Sequence, residues 1–198
     1  MAIPNNVKSY RILQYRYLLT VIALALVTGF GCLASNYAHK DIIGALIRFN
    51  FPVLISQSLL LIFMMWQVLR IRPIAPLVGI RRQSNNVQKK LLGVILAECM
   101  LYFFFCYLTF ILSGTTVFKD GSAIVGMLVL LLRFLVLCVL GIIILSAYEA
   151  QHPILILLAV LLLNFIYHYW IEIHYLLIMY SPIYDPVYRA IHHHIYQG

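Results

Sequence analysis

Five apolar stretches dominate this chain, each close to or beyond the ~20 residues that a helix needs to cross a bilayer. They run from about Tyr17 to Ser35, Phe51 to Leu69, Leu91 to Leu112, Ala123 to Tyr148 and Ile154 to Ile173. In lipid the backbone must satisfy its own hydrogen bonds, and runs of this length do so as helices. Composition agrees: 64% of residues are hydrophobic and 10% charged, against roughly 25% charged in soluble domains. The expected fold is an all-α integral membrane protein. It has five transmembrane helices, or six if the tail also crosses, and an N-terminal interfacial helix.

The net charge of +8 reads as topology rather than nucleic-acid binding, because basic residues collect in loops kept in the cytoplasm. With the N-terminus inside, the inner segments hold Lys8, Arg11, Arg16, Arg70, Arg72, Arg81, Arg82, Lys89 and Lys90. The outer segments hold only Lys40, Arg48, Lys119 and Arg189. The chain then divides into a cytoplasmic interfacial segment (1–16), a helical membrane domain (17–179) and an aromatic, His-rich extracytoplasmic tail (180–198). Within the membrane domain, residues 70–90 form a cytoplasmic loop. The expected location is the cell (plasma or inner) membrane, as a multi-pass chain with a cytoplasmic N-terminus. In the tail, Pro182 and Pro186 interrupt any helix, and Tyr180, Tyr184, Tyr188 and Tyr196 suit the headgroup zone.

Charged and polar residues inside the spans are the candidate site. Glu98, Arg133 and Glu172 are ionisable, and each must face protein, water or a partner, because a charge at mid-helix costs ~2.5–3.5 kcal/mol. At 1.5 Å per residue, Glu98 and Arg133 have similar depths, so an ion pair between them is expected, with Asn164 joining by an interhelical hydrogen bond. "HYWIEIH" puts His168 and Glu172 on one helical face, with His174 following. Imidazole and carboxylate suit zinc, but HExxH is missing. The flanking Tyr167, Tyr169 and Trp170 make an aromatic belt the better reading. No metal or other cofactor is expected. Cys32, Cys99, Cys106 and Cys138 show no CxxC spacing and read as small core residues. No Gly-rich phosphate loop appears, so the chain is not expected to hydrolyse ATP itself.

The loop "RIRPIAPLVGIRRQSNNVQKK", Arg70 to Lys90, has internal design. A stiff "RPIAP" ends the second helix, an apolar "LVGI" follows, a polar "RRQSNN" offers a capping Ser or Asn, and "VQKK" starts the third helix. Three stretches then carry a resemblance. They are the basic lead "NNVKSYRILQYRYLLT", the two spans and loop in "MWQVLRIRPIAPLVGIRRQSNNVQKKLLGVILAECMLYFFFCYLTFIL", and "LLLRFLVLCVLGIIILSAYEAQHPILILLAVLLLNF". Together they resemble the small type 2 permease subunits of ATP-binding-cassette (ABC) transporters, of the kind found in bacteriocin export and immunity. The resemblance implies that the loop docks on a separate cytosolic ATP-binding subunit through Val78, Arg81, Arg82, Gln83, Ser84 and Asn85. It also implies a second permease subunit, identical or not, and a hydrophobic or peptide cargo. Such permeases usually have six spans and a cytoplasmic C-terminus, and this chain departs from them in both. Two other readings fit the residues: a non-transporting membrane scaffold or assembly subunit, and a metal-dependent intramembrane enzyme. Membrane lipids are partners in every case, and nucleic acid in none.

The charge count gives a direct test. A cysteine placed at Ser84 is expected to resist a membrane-impermeant thiol reagent in intact cells, whereas one at Thr116 reacts. External labelling of Ser84→Cys would reverse the orientation.

Overall fold

A computed structural model describes residues 5–35, 41–72, 84–114, 117–186 and 188. Its described residues contain five helices long and apolar enough to cross a membrane, and no strand. The fold is all-α. The spans are Tyr17–Ala34, Pro52–Ile71, Asn86–Leu112, Ala123–Tyr148 and Pro153–Tyr180. Helix α1 (Asn5–Ser35) runs unbroken for 31 residues, about 46 Å at the α-helical rise. The polar lead is therefore helical, as its spacing predicted, but it continues the first span instead of lying apart from it.

The second span opens with a π-helical stretch, Pro52–Gln57, and continues as α2 (Ser58–Ile71). Pro52 sits in the first turn, where its missing amide costs little. Helix α3 (Ser84–Leu112) is the third span and α4 (Ala123–Leu145) most of the fourth. The fifth combines α5 (Pro153–Ile166), a π-helical stretch (Tyr167–Leu176) and the single turn α6 (Leu177–Tyr180).

The second span is central, with 61% of its most apolar 18-residue window buried, whereas the fifth is peripheral, with 17%. Leu60, Leu61, Met64, Ile95, Leu137 and Ile144 fill the middle of the bundle. Helices α1 and α3 approach most closely at Gly29, where an added Cβ would collide with the Thr109 side chain. Small residues let membrane helices pack backbone to backbone in this way. The outward faces of α1, α3 and α5 carry Phe30, Phe104 and Leu158, apolar groups suited to lipid.

The two ends differ in chemistry. At one end Arg72 donates to the Ala150 carbonyl (2.7 Å) and Gln88 to Glu149 (2.6 Å). There too Arg70 donates to the Tyr17 hydroxyl (2.5 Å) while lying over the Trp66 ring. We call this the basic end. At the other, Asp41 is fully buried and gathers three segments. Its carboxylate accepts from the Gly44 amide (2.8 Å), the Lys119 amide (2.9 Å) and the Tyr180 hydroxyl (2.6 Å). Tyr184 donates to Asp120 (3.0 Å) at this aspartate end. Burial first, and then the Asp120 carboxylate, push the Tyr184 hydroxyl up from its ordinary value, so it stays a donor. Tyr180 and Tyr184 thus sit with the Asp41 and Asp120 loops, at the end opposite Arg72. The tail residues 189–198, with His192 to His194, lie outside the described residues.

The residues after Asp41 do not form the mixed, amphipathic loop that "NYAHKDIIGALIRFN" suggests. Ile42, Ile43, Ala45, Leu46 and Ile47 are buried, and Gly44–Arg48 makes a short π-helical stretch folded into the bundle. It ends at Phe49, whose backbone is extended (φ −84°, ψ 125°). A broken helix at membrane depth survives only when protein covers it, and here protein does.

Helix packing supplies the next test. Gly29→Ala is expected to cost about 1–3 kcal/mol by overpacking against Thr109. Gly93→Ala, where an added Cβ meets nothing within 4 Å, is expected to be neutral or stabilising by under about 1 kcal/mol. Unfolding in detergent, followed by circular dichroism, compares the two. Equal losses would refute the close approach.

Candidate functional site

Arg133 lies well inside α4 and is 3% exposed. What it meets decides the local structure. Its Nη1 donates to the Leu46 carbonyl at 3.0 Å. The Gly44–Arg48 stretch stops at Phe49, and the last carbonyls of a helical stretch have no amide partner within it. A cation is favoured at such a helix end. The same nitrogen is 3.6 Å from Glu172 Oε2, an ion pair with both side chains buried.

Glu172 is shared. His168 Nδ1 lies 2.8 Å from the same Oε2, one helical turn away on the same face. The other imidazole nitrogen, Nε2, faces Asn50 Oδ1 at 3.4 Å. Asn50 sits just before the second span, and its side chain is exposed. A chain of polar contacts therefore runs from the surface to the centre: Asn50, His168, Glu172, Arg133, Leu46 carbonyl. Around it are buried polar atoms with no hydrogen-bond partner: Glu172 Oε1, Asn164 Nδ2, Tyr107 Oη and Tyr167 Oη. Tyr107 and Tyr167 both lie within electrostatic reach of Arg133 and Glu172.

All three π-helical stretches border this cluster. Gly44–Arg48 supplies the Leu46 carbonyl, Pro52–Gln57 begins two residues after Asn50, and Tyr167–Leu176 carries His168 and Glu172. π-Turns are rare and concentrate at functional sites, which marks the cluster as the candidate site.

A second polar row lies on α3. Glu98, Tyr102, Cys106 and Thr109 recur at helical spacing and all are buried. Glu98 Oε1 accepts from Gln67 Nε2 at 2.5 Å, and its Oε2 has no partner. One turn on, Tyr102 contacts Ser56 at 2.8 Å, and Ser56 contacts Thr28. Thr28 gives its proton to the Leu24 carbonyl (2.7 Å). Each hydroxyl has one proton, so the order is fixed: Tyr102 donates to Ser56, and Ser56 to Thr28.

The expected Glu98–Arg133 pair is not formed. Arg133 pairs with Glu172, and Glu98 with Gln67. Similar depth along two helices says nothing about azimuth. Asn164 is buried on the His168 face, yet its amide nitrogen has no partner. His168 is fully buried rather than part of the aromatic belt. Tyr169 and Trp170, its exposed neighbours, fit that belt. His174 is exposed and turns its Nδ1 to the Tyr169 carbonyl (2.6 Å). The three weak metal candidates thus do not converge, and no group of three metal-binding side chains occurs among the described residues.

Of the docking residues, Val78, Arg81, Arg82 and Gln83 lie outside the described residues, and Ser84 and Asn85 open α3. Sequence reasoning missed Asn50, Gln67 and the Leu46 carbonyl. Gln67 carried a usable signal, a lone amide in an apolar run. The Leu46 carbonyl carried none, since a backbone acceptor exists only once the chain breaks. A scan of protein-family models, a comparison with curated proteins and a comparison with solved structures find no match to this chain.

Coupling energies check the pairing. Arg133→Gln and Glu172→Gln are each expected to cost about 3–5 kcal/mol, because each strands a buried charge. The double variant loses clearly less than their sum. Arg133→Gln with Glu98→Gln, which share no partner, adds to within about 0.5 kcal/mol. Denaturant unfolding in detergent reads both cycles, and a coupling for Glu98 in place of Glu172 would overturn the assignment.

Proposed function

We propose that the chain is a transmembrane permease subunit of an ABC-type exporter, driven by a separate cytosolic ATPase docked on the Arg70 to Lys90 loop. The cargo is a hydrophobic or peptide substrate, and a second permease subunit completes the path. The membrane is the cell's inner or plasma membrane, with the basic end and the N-terminus in the cytoplasm.

One observation carries the reading. Both ends of the loop are tied to the same turn: Arg72 to the Ala150 carbonyl and Gln88 to Glu149. The end of α2, the start of α3 and the turn between the fourth and fifth spans are therefore joined in one platform. A force applied to the loop by a partner passes into four spans together. Rigid-body tilting of packed helices is how such coupling works. The side chains that would touch the ATPase are Val78, Arg81, Arg82, Gln83, Ser84 and Asn85, as the family resemblance implies.

The filled centre of the bundle, around Leu60, Leu61, Met64 and Leu137, favours a second reading, a non-transporting scaffold or assembly subunit. In the permease reading the path then lies between subunits.

The two readings differ in their variants. Arg has a planar fork of donors that Lys lacks. Arg81→Lys combined with Arg82→Lys, or Val78→Asp alone, is expected to cut ATPase co-purification several-fold while membrane insertion stays normal. Recovery of no ATPase with the unmodified chain, or equal recovery with all variants, would leave the scaffold in its place.

A further inference from the structure

Arg48 ends the Gly44–Arg48 stretch, and its side chain is exposed at the aspartate end. Among the described residues it has no hydrogen bond and no ion pair. The chain has six acidic residues, and five are engaged elsewhere. Asp41 holds Gly44, Lys119 and Tyr180, and Asp120 holds Tyr184. Glu98 holds Gln67, Glu149 holds Gln88, and Glu172 faces Arg133 and His168. Arg48 instead walls a recess of about 180 Å³ with His174, Tyr184, Ile173, Leu177 and Ile178. The sixth acid, Asp185, does not wall it.

The polar walls offer a defined set of groups. Tyr184 spends its proton on Asp120. His174 Nδ1 lies 2.6 Å from the Tyr169 carbonyl, which only accepts, so Nδ1 carries the ring proton. In the neutral ring Nε2 is then an acceptor. The recess thus presents a guanidinium, an acceptor nitrogen and an apolar wall. A ligand that satisfies all three is an anion with a hydroxyl and a hydrocarbon tail.

We propose that this recess binds an anionic phospholipid with a hydroxylated headgroup, of the phosphatidylglycerol type. The phosphodiester meets Arg48, whose planar fork of donors matches phosphate oxygens. A headgroup hydroxyl donates to His174 Nε2. The acyl chains run down the outward side of the fifth span, past exposed Ile166 and Leu162. Depth agrees. The fifth span has 28 residues, Pro153–Tyr180, and the hydrocarbon core takes about 20. Counted from Pro153, the core ends near Ile173, so His174 falls at the headgroups. Exposed Tyr169, Trp170 and Tyr175 mark the same level. The inference stands whether or not an ATPase binds the basic loop.

The test uses a tryptophan already beside the recess. The chain has two, and Trp66→Phe leaves Trp170, which is 69% exposed and four residues before His174. The full chain with this change is placed in phosphatidylcholine nanodiscs. Rising shares of phosphatidylglycerol with brominated acyl chains, which quench nearby tryptophan, are compared with equally brominated phosphatidylcholine. Phosphatidylglycerol is expected to quench Trp170 at a roughly fivefold lower share, the weight of one basic residue against an anionic lipid. Arg48→Gln should abolish the preference, and His174→Leu should lower it about threefold, the weight of a neutral hydrogen bond. Lys119→Gln, exposed at the same end but outside the recess, should keep it. Equal quenching by both lipids overturns the proposal. So does an equal loss in Arg48→Gln and Lys119→Gln, which would show attraction to surface charge in general. Relief of quenching by inorganic phosphate, beyond chloride of equal ionic strength, would make the recess a site for a free anion and overturn the lipid assignment.

Discussion

An arginine within a membrane helix cannot be left alone, and the upper half of this bundle is arranged around that fact. Arg133 needs an acceptor and a counter-charge at its own depth. Leu46 supplies the acceptor, which requires the chain after Asp41 to fold inward and break at Phe49. Glu172 supplies the charge, which brings the fifth span against α4. His168 holds Glu172 in place, and Asn50 meets His168. Remove the arginine, and the inward stretch, the break and the seating of the last span each lose their reason.

The remaining polar groups join helices rather than open a path. Tyr102, Ser56 and Thr28 tie α3, the start of the second span and α1 by a one-way run of hydroxyls. Asp41 ties three segments at one end, as Arg72 and Gln88 tie two at the other. Between these ties the packing is apolar, as at Leu60, Leu61 and Met64. The bundle is a set of greased helices pinned at a few depths.

Much of this was legible in the amino-acid order. The five spans follow from apolar length, and the His168–Glu172 contact from a spacing of four. Arg133, Glu98, Asn164 and Glu172 are all buried, as the cost of charge in lipid demands. What could not be read was which charge meets which. Partner choice depends on helix rotation, and an apolar run of leucines and isoleucines leaves rotation undetermined. The inward stretch was equally hidden. "DIIGALIR" is short and ends in an arginine, so it looks like a surface loop until Asp41, Val117 and Arg133 are seen to hold it. Val78, Arg81, Arg82 and Gln83 of the basic loop lie outside the described residues.

The peripheral seat of the fifth span has a consequence for synthesis. Arg133 leaves the ribosome before Glu172 does. The fourth span is the most apolar of the five, and the fifth bears Asn164, His168 and Glu172. The counter-charge that Arg133 meets thus belongs to the last helix made. Chain order makes Arg133 the earlier half of the pair and Glu172 the later, so the ion pair closes only once the last helix is present.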